Sequence, residues 1–523
     1  MKIFHESGYI HSCEKHLIEE NKKYWENKTN VTDGSRWIYV FHSVGETFEV
    51  CVREDILAKG LQEKTKLPIV AVSCENKMKA NDELDRSFGI QQVFTVNAER
   101  FANLFSRIRT WLHAWYLSIS TYNKKEKLFK IKYRGITCGE AIHDSILRGA
   151  PFNPKCSSNF NFDCFGVSRS IYFWYIRYAL SMIDQTKELF KRRKPAYVVT
   201  SEQIYTPGLF MEIASAEGAE VLLSLMGYPD IVEKIAPMKL TQEFKYADIL
   251  TNLLESYLKL TPLKKDDAQN IFVVETSKAE KLDVLAALGI TNTYKNVFIM
   301  LHCLSDVVRK NCRHTFYKDY NEWFIDTLQI VRKIKDVNWI VKEHPQAAFY
   351  GQDDYVKKVF SEFQSENMYW CSKEISGMNI KDVADCVVTC AGDVGIEFWS
   401  YGIPTITVSE AYYCPWNISY NMKSRAEYEE TLKHIDMVAK PSVESAELAQ
   451  KYLMMMKQMA KGDGNPLSSL FVGISGQRLV CLKDGDIGTA PLYRFCKQYR
   501  FLLEKGYIEE NTIYQLKNVF NVT

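Results

Sequence analysis

Twenty residues, "VVTCAGDVGIEFWSYGIPTI" (Val387–Ile406), constrain this chain more than any other part of it. An apolar run leads into a glycine-containing turn, then a short helical pattern ending at Gly402, then a second apolar run opened by Pro404. Strand, turn, helix and strand in that order are the signature of an α/β unit. The alternation recurs in three sets. The first is "RWIYVFHSV" (Arg36–Val44), a helix through "REDILAKGLQEKTKL" and the strand Pro68–Cys74. The second is Pro195–Glu202, a helix over Gly208–Gly218 with Gly218 as its C-cap, and the strand Ala219–Leu225. The third is Asn296–Leu304, an amphipathic helix over Asp319–Lys335, the strand Val337–Pro345, and then the twenty-residue run.

A chain of 523 residues is too long for one ordinary core. The stretch Thr261–Ala286, rich in Lys, Asp and Ala, reads as a linker with a connecting helix. The expected organisation is an N-terminal Rossmann-like domain over 1–255, a second over 256–440 and a helical C-terminal extension over 441–523. Two such α/β domains facing each other leave a central cleft, and ligands of such sheets bind beyond the carboxyl ends of the strands.

The charge balance narrows the partners. Sixty-six basic and 64 acidic residues give a formal net charge of +2, which supplies no bulk attraction for nucleic acid. The basic run "KELFKRRK" (Lys187–Lys194) reads as a solvated helix end. No run of about 18 apolar residues is present, and "SIYFWYIRYALSMI" (Ser170–Ile183), interrupted by Arg177, reads as a buried helix. The first residues do not read as a signal peptide, so the 14 cysteines are expected to be reduced thiols in the cytoplasm. Cys386 and Cys390 flank a strand and read as core, and no metal-ligand spacing is visible.

Two constellations carry chemistry. In the twenty-residue run the helix begins near Val394, and its free N–H groups and positive dipole end would face the cleft, where a phosphate is favoured. Gly392 permits close backbone approach, and Asp393 is either an N-cap or a ligand contact. Glu397, four residues on, lies on the same helix face, as a hydroxyl acceptor for a sugar or as an exposed helix residue. The second constellation is "WIVKEHPQ" (Trp339–Gln346). Strand alternation puts Ile340, Lys342 and His344 on one face, and Pro345 stops the ladder, so His344 is expected at a strand end in the cleft. His344 and Lys342 would then steady a departing phosphate. A third polar tip, "HCLSD" (His302–Asp306), contributes Asp306 as a contact to donor or sugar, or as a turn residue.

From Val297 to Leu432 the chain resembles bacterial surface and capsule polysaccharide biosynthesis glycosyltransferases. The resemblance rests on "HCLSD", "FYKDYNEWFIDTLQIVRKIKDVNWIVKEHPQ", "ADCVVTCAGDVGIEFWSYGIPTI" and "SRAEYEETL", in that order and spacing. It is fainter in the N-terminal half, through "RSFGIQQVF", "GITCGEAIHDSILR" and "TSEQIYTPGLFMEIASAEGA". It implies an α/β fold of the GT-B type, with the nucleotide sugar on the C-terminal domain and the acceptor on the N-terminal one. His344 and Pro345 match the His-Pro pair that contacts the nucleotide phosphate in transferases using CMP-activated Kdo or sialic acids, and Gly392 to Glu397 match the turn of the same pocket. "KEHP" stands where Lys-Pro-His-Pro is commoner, and "CAGD" where Ser/Thr-rich turns are frequent, so UDP- and GDP-sugars stay open beside CMP.

An inverting transferase needs a base on the acceptor side, for which Glu202, Asp144 and His143 are the candidates; their alternatives are a turn residue and helix-surface groups. A retaining enzyme would need none. The scheme uses a nucleotide sugar as co-substrate, no other cofactor and no metal. The expected partners are that sugar and a glycan or lipid-linked glycan acceptor. The expected location is cytoplasmic, with the inner membrane face as an option that no specific anchor in the sequence supports. Tyr412, Tyr413 and Trp416 line the donor site or pack in the core. Two other readings stand beside the transferase: a sugar-nucleotide epimerase or polyol-phosphate transferase on the same fold, and a non-catalytic glycan-binding scaffold.

Overall fold

A computed structural model describes residues 12–25, 31, 34–42, 48–74, 79–90, 92–96, 104–149, 167–201, 204–224, 232–235, 283–308, 312–348 and 350–461. Glu202, most of the expected linker and the chain after residue 461 lie outside these residues.

The first unit runs α1 (Ser12–Trp25), β1 (Trp37–His42), α2 (Phe48–Thr65), β2 (Ile69–Cys74), α3 (Lys79–Ser87), β3 (Gln92–Val96), α4 (Leu104–Thr121) and α5 (Lys125–Phe129). It continues through the short pair β4 (Lys132–Tyr133) and β5 (Ile136–Thr137), then α6 (Gly139–Arg148), α7 (Arg169–Arg192), β6 (Pro195–Thr200), α8 (Gly208–Ala216), β7 (Glu220–Ser224) and β8 (Val232–Ile235). The second unit holds α9 (Val284–Leu288), β9 (Lys295–Met300), α10 (Tyr320–Val331), β10 (Val337–Lys342), α11 (Asp353–Phe363), β11 (Met368–Cys371) and α12 (Gly377–Ile380). It closes with β12 (Cys386–Thr389), α13 (Val394–Ser400), β13 (Thr405–Thr407), β14 (Tyr420–Asn421), α14 (Arg425–Lys433) and α15 (Val443–Lys461).

Each unit is built on a six-stranded sheet. The first has the order β3-β2-β1-β6-β7-β8, parallel except for β8, which runs antiparallel to β7. The second has the order β11-β10-β9-β12-β13-β14 and is parallel throughout. Strand order reverses between β1 and β6 and again between β9 and β12, so both units are doubly wound. The strands are apolar on both faces because helices cover both. In the second sheet Val297, Ile299, Trp339, Val341 and Val388 feed one layer, and Phe298, Met300, Ile340 and Val387 the other.

The α/β class with two Rossmann-like units, the plan called GT-B, is therefore what the chain adopts. Strand ends are the corrections. β9 stops at Met300, not Leu304, and residues 303–306 form a turn closed by the Asp306 N–H on the Cys303 carbonyl (2.9 Å). β10 stops at Lys342, so His344 is placed by the following turn and not by strand alternation. The expected helix from Asp319 begins at Tyr320, because the Asp319 side chain caps it by accepting the Glu322 N–H (2.8 Å).

Polar and apolar contacts join the units. Arg148 of α6 donates to Ser305 Oγ (3.0 Å), and the Tyr205 hydroxyl donates to the Ser305 carbonyl (3.2 Å). Lys125 of α5 meets Asp319 (2.5 Å), and Lys318 pairs with Glu126. The apolar cluster that begins at Tyr39 and Phe41 of β1 continues through Ile396, Trp399, Tyr412 and Tyr413 to Tyr452 of α15.

Candidate functional site

The second sheet reverses its strand order between β9 and β12, and the turns leaving β9, β10 and β12 meet beyond that point. His302 follows β9 by two residues. Its Nε2 accepts the Ala391 N–H (3.3 Å) and lies 3.2 Å from Thr389 Oγ1, both beyond or at the end of β12. Its ring stacks on Tyr320 at 4.1 Å with 13° between the planes. Burial, helped by nearby His344, lowers its pKa to about 3, so the ring is neutral at pH 7.

Gly392 belongs to this contact. A Cβ there would lie 3.1 Å from His302 Cε1 and 3.1 Å from Thr389 Oγ1. The glycine therefore makes room for an imidazole of the protein itself, a role the sequence reading did not assign. Gly395 is tighter still: a Cβ would stand 2.3 Å from the Tyr413 hydroxyl, which donates to the Gly392 carbonyl (2.7 Å). Tyr413 is fully buried and Tyr412 nearly so, and Trp416 sets its ring 5.4 Å from that of Tyr452.

His344 sits just past β10. Its Nδ1 accepts the Gln346 N–H (3.2 Å) and lies 3.1 Å from Cys303 Sγ. Nδ1 is thus the acceptor, and Nε2 carries the ring proton as a donor. Burial, and then the Lys342 ammonium, lower its pKa to about 4. Lys342 is buried, donates from Nζ to the Glu343 carbonyl (3.0 Å), and has its own pKa lowered by burial. Pro345 is exposed.

The structure places Asp393 with helical backbone at the mouth of α13, and its side chain makes no capping bond. The helices α10 and α14 differ: Asp319 and Ser424 accept the N–H three residues on, while Glu322 and Glu427 reach back to the preceding backbone. Val394 opens α13, and Glu397 lies one turn in, half-buried. Asp306 is 44% exposed, with Oδ1 3.8 Å from Arg148.

His143 and Asp144 are both buried, which corrects the reading of them as helix-surface groups. His143 Nδ1 pairs with Asp144 Oδ1 (3.0 Å), and its Nε2 lies 3.4 Å from Asp319 Oδ2, across the seam between the units. Burial alone would raise the Asp319 carboxyl, but His143 and Lys125 hold it well below the usual carboxylate range. Asp319 precedes Tyr320, on which His302 stacks, so the seam and the strand-end cluster adjoin. His344, Cys303, His302, Thr389 and Gly392 are thus brought together, with Asp306, Arg148 and Ser305 beside them. Lys342 is directed into the protein. His302, Arg148 and Asp319 were not singled out from sequence, though the Asp-x-x-Glu cap at 319–322 is a legible signal for the last of them.

A second titratable cluster stands at the end of β1. His42 Nδ1 is 2.6 Å from Glu54 Oε2, and its Nε2 is 2.9 Å from Asp85 and 3.6 Å from Asp55, all fully buried. Among the described residues, His42, Cys51 and Glu54, and His42, Asp55 and Asp85, are groups whose donor atoms lie within 4.8 Å of one another. Burial opposes protonation of His42, but Cys51 and Asp85 raise its pKa well above the ordinary value.

No protein-family model matches the chain, and no curated protein is significantly similar to it. Among solved structures, a UDP-N-acetylglucosamine 2-epimerase is 11% identical, covering 82% of this chain and 95% of its own, at a TM-score of 0.26. The beta Kdo 2,7 transferase of Thermosulfurimonas dismutans KpsC is 13% identical over 52% of this chain and 89% of its own (TM-score 0.25). A glycosyltransferase from Rickettsia africae is 8% identical over 94% of this chain and 100% of its own (TM-score 0.25). Likenesses this weak add nothing to what the sheet topology establishes.

Proposed function

We propose that the protein is a glycosyltransferase that moves a sugar from a nucleotide-activated donor, with a CMP-sugar favoured, to a growing bacterial surface glycan. The observation that carries this reading is His344. It is a neutral imidazole at the carboxyl end of β10, its Nδ1 occupied by the Gln346 N–H, which leaves Nε2–H as a donor. A neutral donor of fixed orientation suits a leaving phosphate, because it stabilises developing negative charge with little reorganisation. The mouth of α13, which follows β12, would offer the Val394 N–H as a further donor, the Gly395 N–H being held on the Gly392 carbonyl (2.9 Å). The acceptor hydroxyl would come from the side of the first unit, where Asp144 and Glu202 are the candidates for its base. Lys342 would act through the field at His344, since its ammonium is held on the Glu343 carbonyl.

Calorimetric titration of CMP, UDP, GDP and CDP into the wild type and into His344→Ala tests the reading. One nucleotide binding, and binding about ten-fold or more weaker in the variant, is expected for the loss of a hydrogen bond to a charged group. Absence of binding by all four would overturn it. Turnover of a sugar nucleotide without any acceptor would assign the pocket to an epimerase.

A further inference from the structure

Helix α4 is inside out. Its buried residues are the small Thr110, Ala114, Ser118 and Thr121, while its large apolar side chains, apart from the partly buried Leu117, face solvent. Phe105 is 76% exposed and Tyr116 65%, and Ile108, Trp111, Leu112 and Trp115 are exposed with them. At about 100° per residue these six fall within an arc of about 140°. The inner face is fixed to α7: Thr110 Oγ1 donates to Asp184 (2.6 Å), and Thr121 Oγ1 meets the Tyr172 hydroxyl (2.8 Å). The exposed arc is therefore not a core stripe awaiting a small rotation of the helix. A monomer seldom exposes so large a contiguous apolar face without a use for it.

The charge beside this face indicates what it meets. From Leu104 to Arg134 the sequence has eight Lys and Arg against one acid, Glu126, a difference of seven. Next to Phe105 opens a cavity of about 620 Å³. It is lined by Arg109, Arg134, Lys191, Arg192 and Arg193 against Asp184 and Glu188, five cations less two carboxylates, or +3. Aromatic and aliphatic side chains on one face, no acid on the helix, and a cationic hollow beside it match the interface of an anionic bilayer. A two-fold contact between copies of this face would set its cations against their own kind. Among the described residues no helix is long and apolar enough to cross a membrane.

We infer that α4 is the face by which the protein lies on an anionic lipid surface, its aromatic rings at headgroup depth and phosphate-bearing headgroups at the cavity of Arg109 and Arg193. The inference stands on the surface alone and is independent of the transferase reading. It is tested by flotation of the full chain with phosphatidylcholine vesicles, with and without phosphatidylglycerol, at low and high salt. The wild type is expected to float with the anionic vesicles, less so in high salt. The double variant Leu112→Ser, Trp115→Ser, whose two sites are each 51% exposed and whose melting should match the wild type, is expected to bind about ten-fold more weakly. Failure of the wild type to bind anionic vesicles, or equal binding by the double variant, would overturn the inference. A dimer in light scattering that the double variant dissociates, with no vesicle binding, would also overturn it and give the face to a second copy.

Discussion

Gly395 offers a test in which the sign of an effect depends on one oxygen atom. An alanine Cβ at this helical position would stand 2.3 Å from the Tyr413 hydroxyl and 3.0 Å from its Cζ. Tyr413 is fully buried, so the ring has no solvent into which it can retreat. Overpacking of this kind costs about 1–3 kcal/mol. Displacing the hydroxyl also loses its 2.7 Å bond to the Gly392 carbonyl, about 1 kcal/mol more. Against this, alanine is favoured over glycine inside a helix by about 1 kcal/mol. The expected net cost of Gly395→Ala is thus about 2 kcal/mol in the wild type. In a Tyr413→Phe background the closest contact is gone and the milder approaches to Cζ (3.0 Å) and Thr405 Cγ2 (3.3 Å) remain, so the same substitution should be close to neutral. Urea unfolding of the four proteins, followed by tryptophan fluorescence, gives the coupling, expected at about 2 kcal/mol. An equal penalty in both backgrounds would refute the account of why a glycine is needed here.

Two further outcomes follow from the titratable groups. The depressed pKa of His302, about 3, means that the folded state binds fewer protons than the unfolded one below about pH 6.5. Its stabilising contribution is present above the unfolded value and is lost as pH falls towards 3, with a slope of up to about 1.4 kcal/mol per pH unit; His302→Gln should flatten unfolding free energy against pH over that range, and an unchanged profile would contradict the burial argument. Asp319→Asn removes the charge that faces both Lys125 and His143 across the seam and should cost about 3 kcal/mol at pH 7, because it strands the partly buried Lys125 ammonium; since the wild-type carboxyl is held well below the usual carboxylate range, the penalty should persist in mild acid, and denaturant titration at neutral and acid pH checks both.

The inner strands of both sheets were legible because each is a short apolar run between turn residues, as in Trp37–His42 and Val337–Lys342; the edge strands β3, β8, β11 and β14 were not read. Their ends were less so. Leu301 to Leu304 continue the apolar character of β9, yet the chain turns there, because Leu301 donates to the Lys342 carbonyl and the ladder has no further partner. The site shows the same division. His344, Gly392 and Val394 were placed by their positions at strand and helix ends. His302 was not, because what marks it is the absence of a Cβ at residue 392, distant in sequence. Asp144 and His143 show the pattern of helix-surface residues, but Phe129 of α5 packs on the His143 ring and Asp319 of the second unit meets its Nε2. The exposed arc of α4 could not be read as exposed at all, since an apolar helical stripe in a sequence ordinarily means core.

The apolar cluster that ends in α15 has a consequence in time. Trp399 donates to Ser445, Gln450 donates to the Ser400 carbonyl, and Tyr452 belongs to the same continuous cluster as Tyr39 of β1. Chains are made from the N-terminus, so β1 leaves the ribosome long before the helix that completes its cluster. The part of the cluster that α13 and α15 contribute is added only after almost all of the second unit has been synthesised, once translation has passed Leu453.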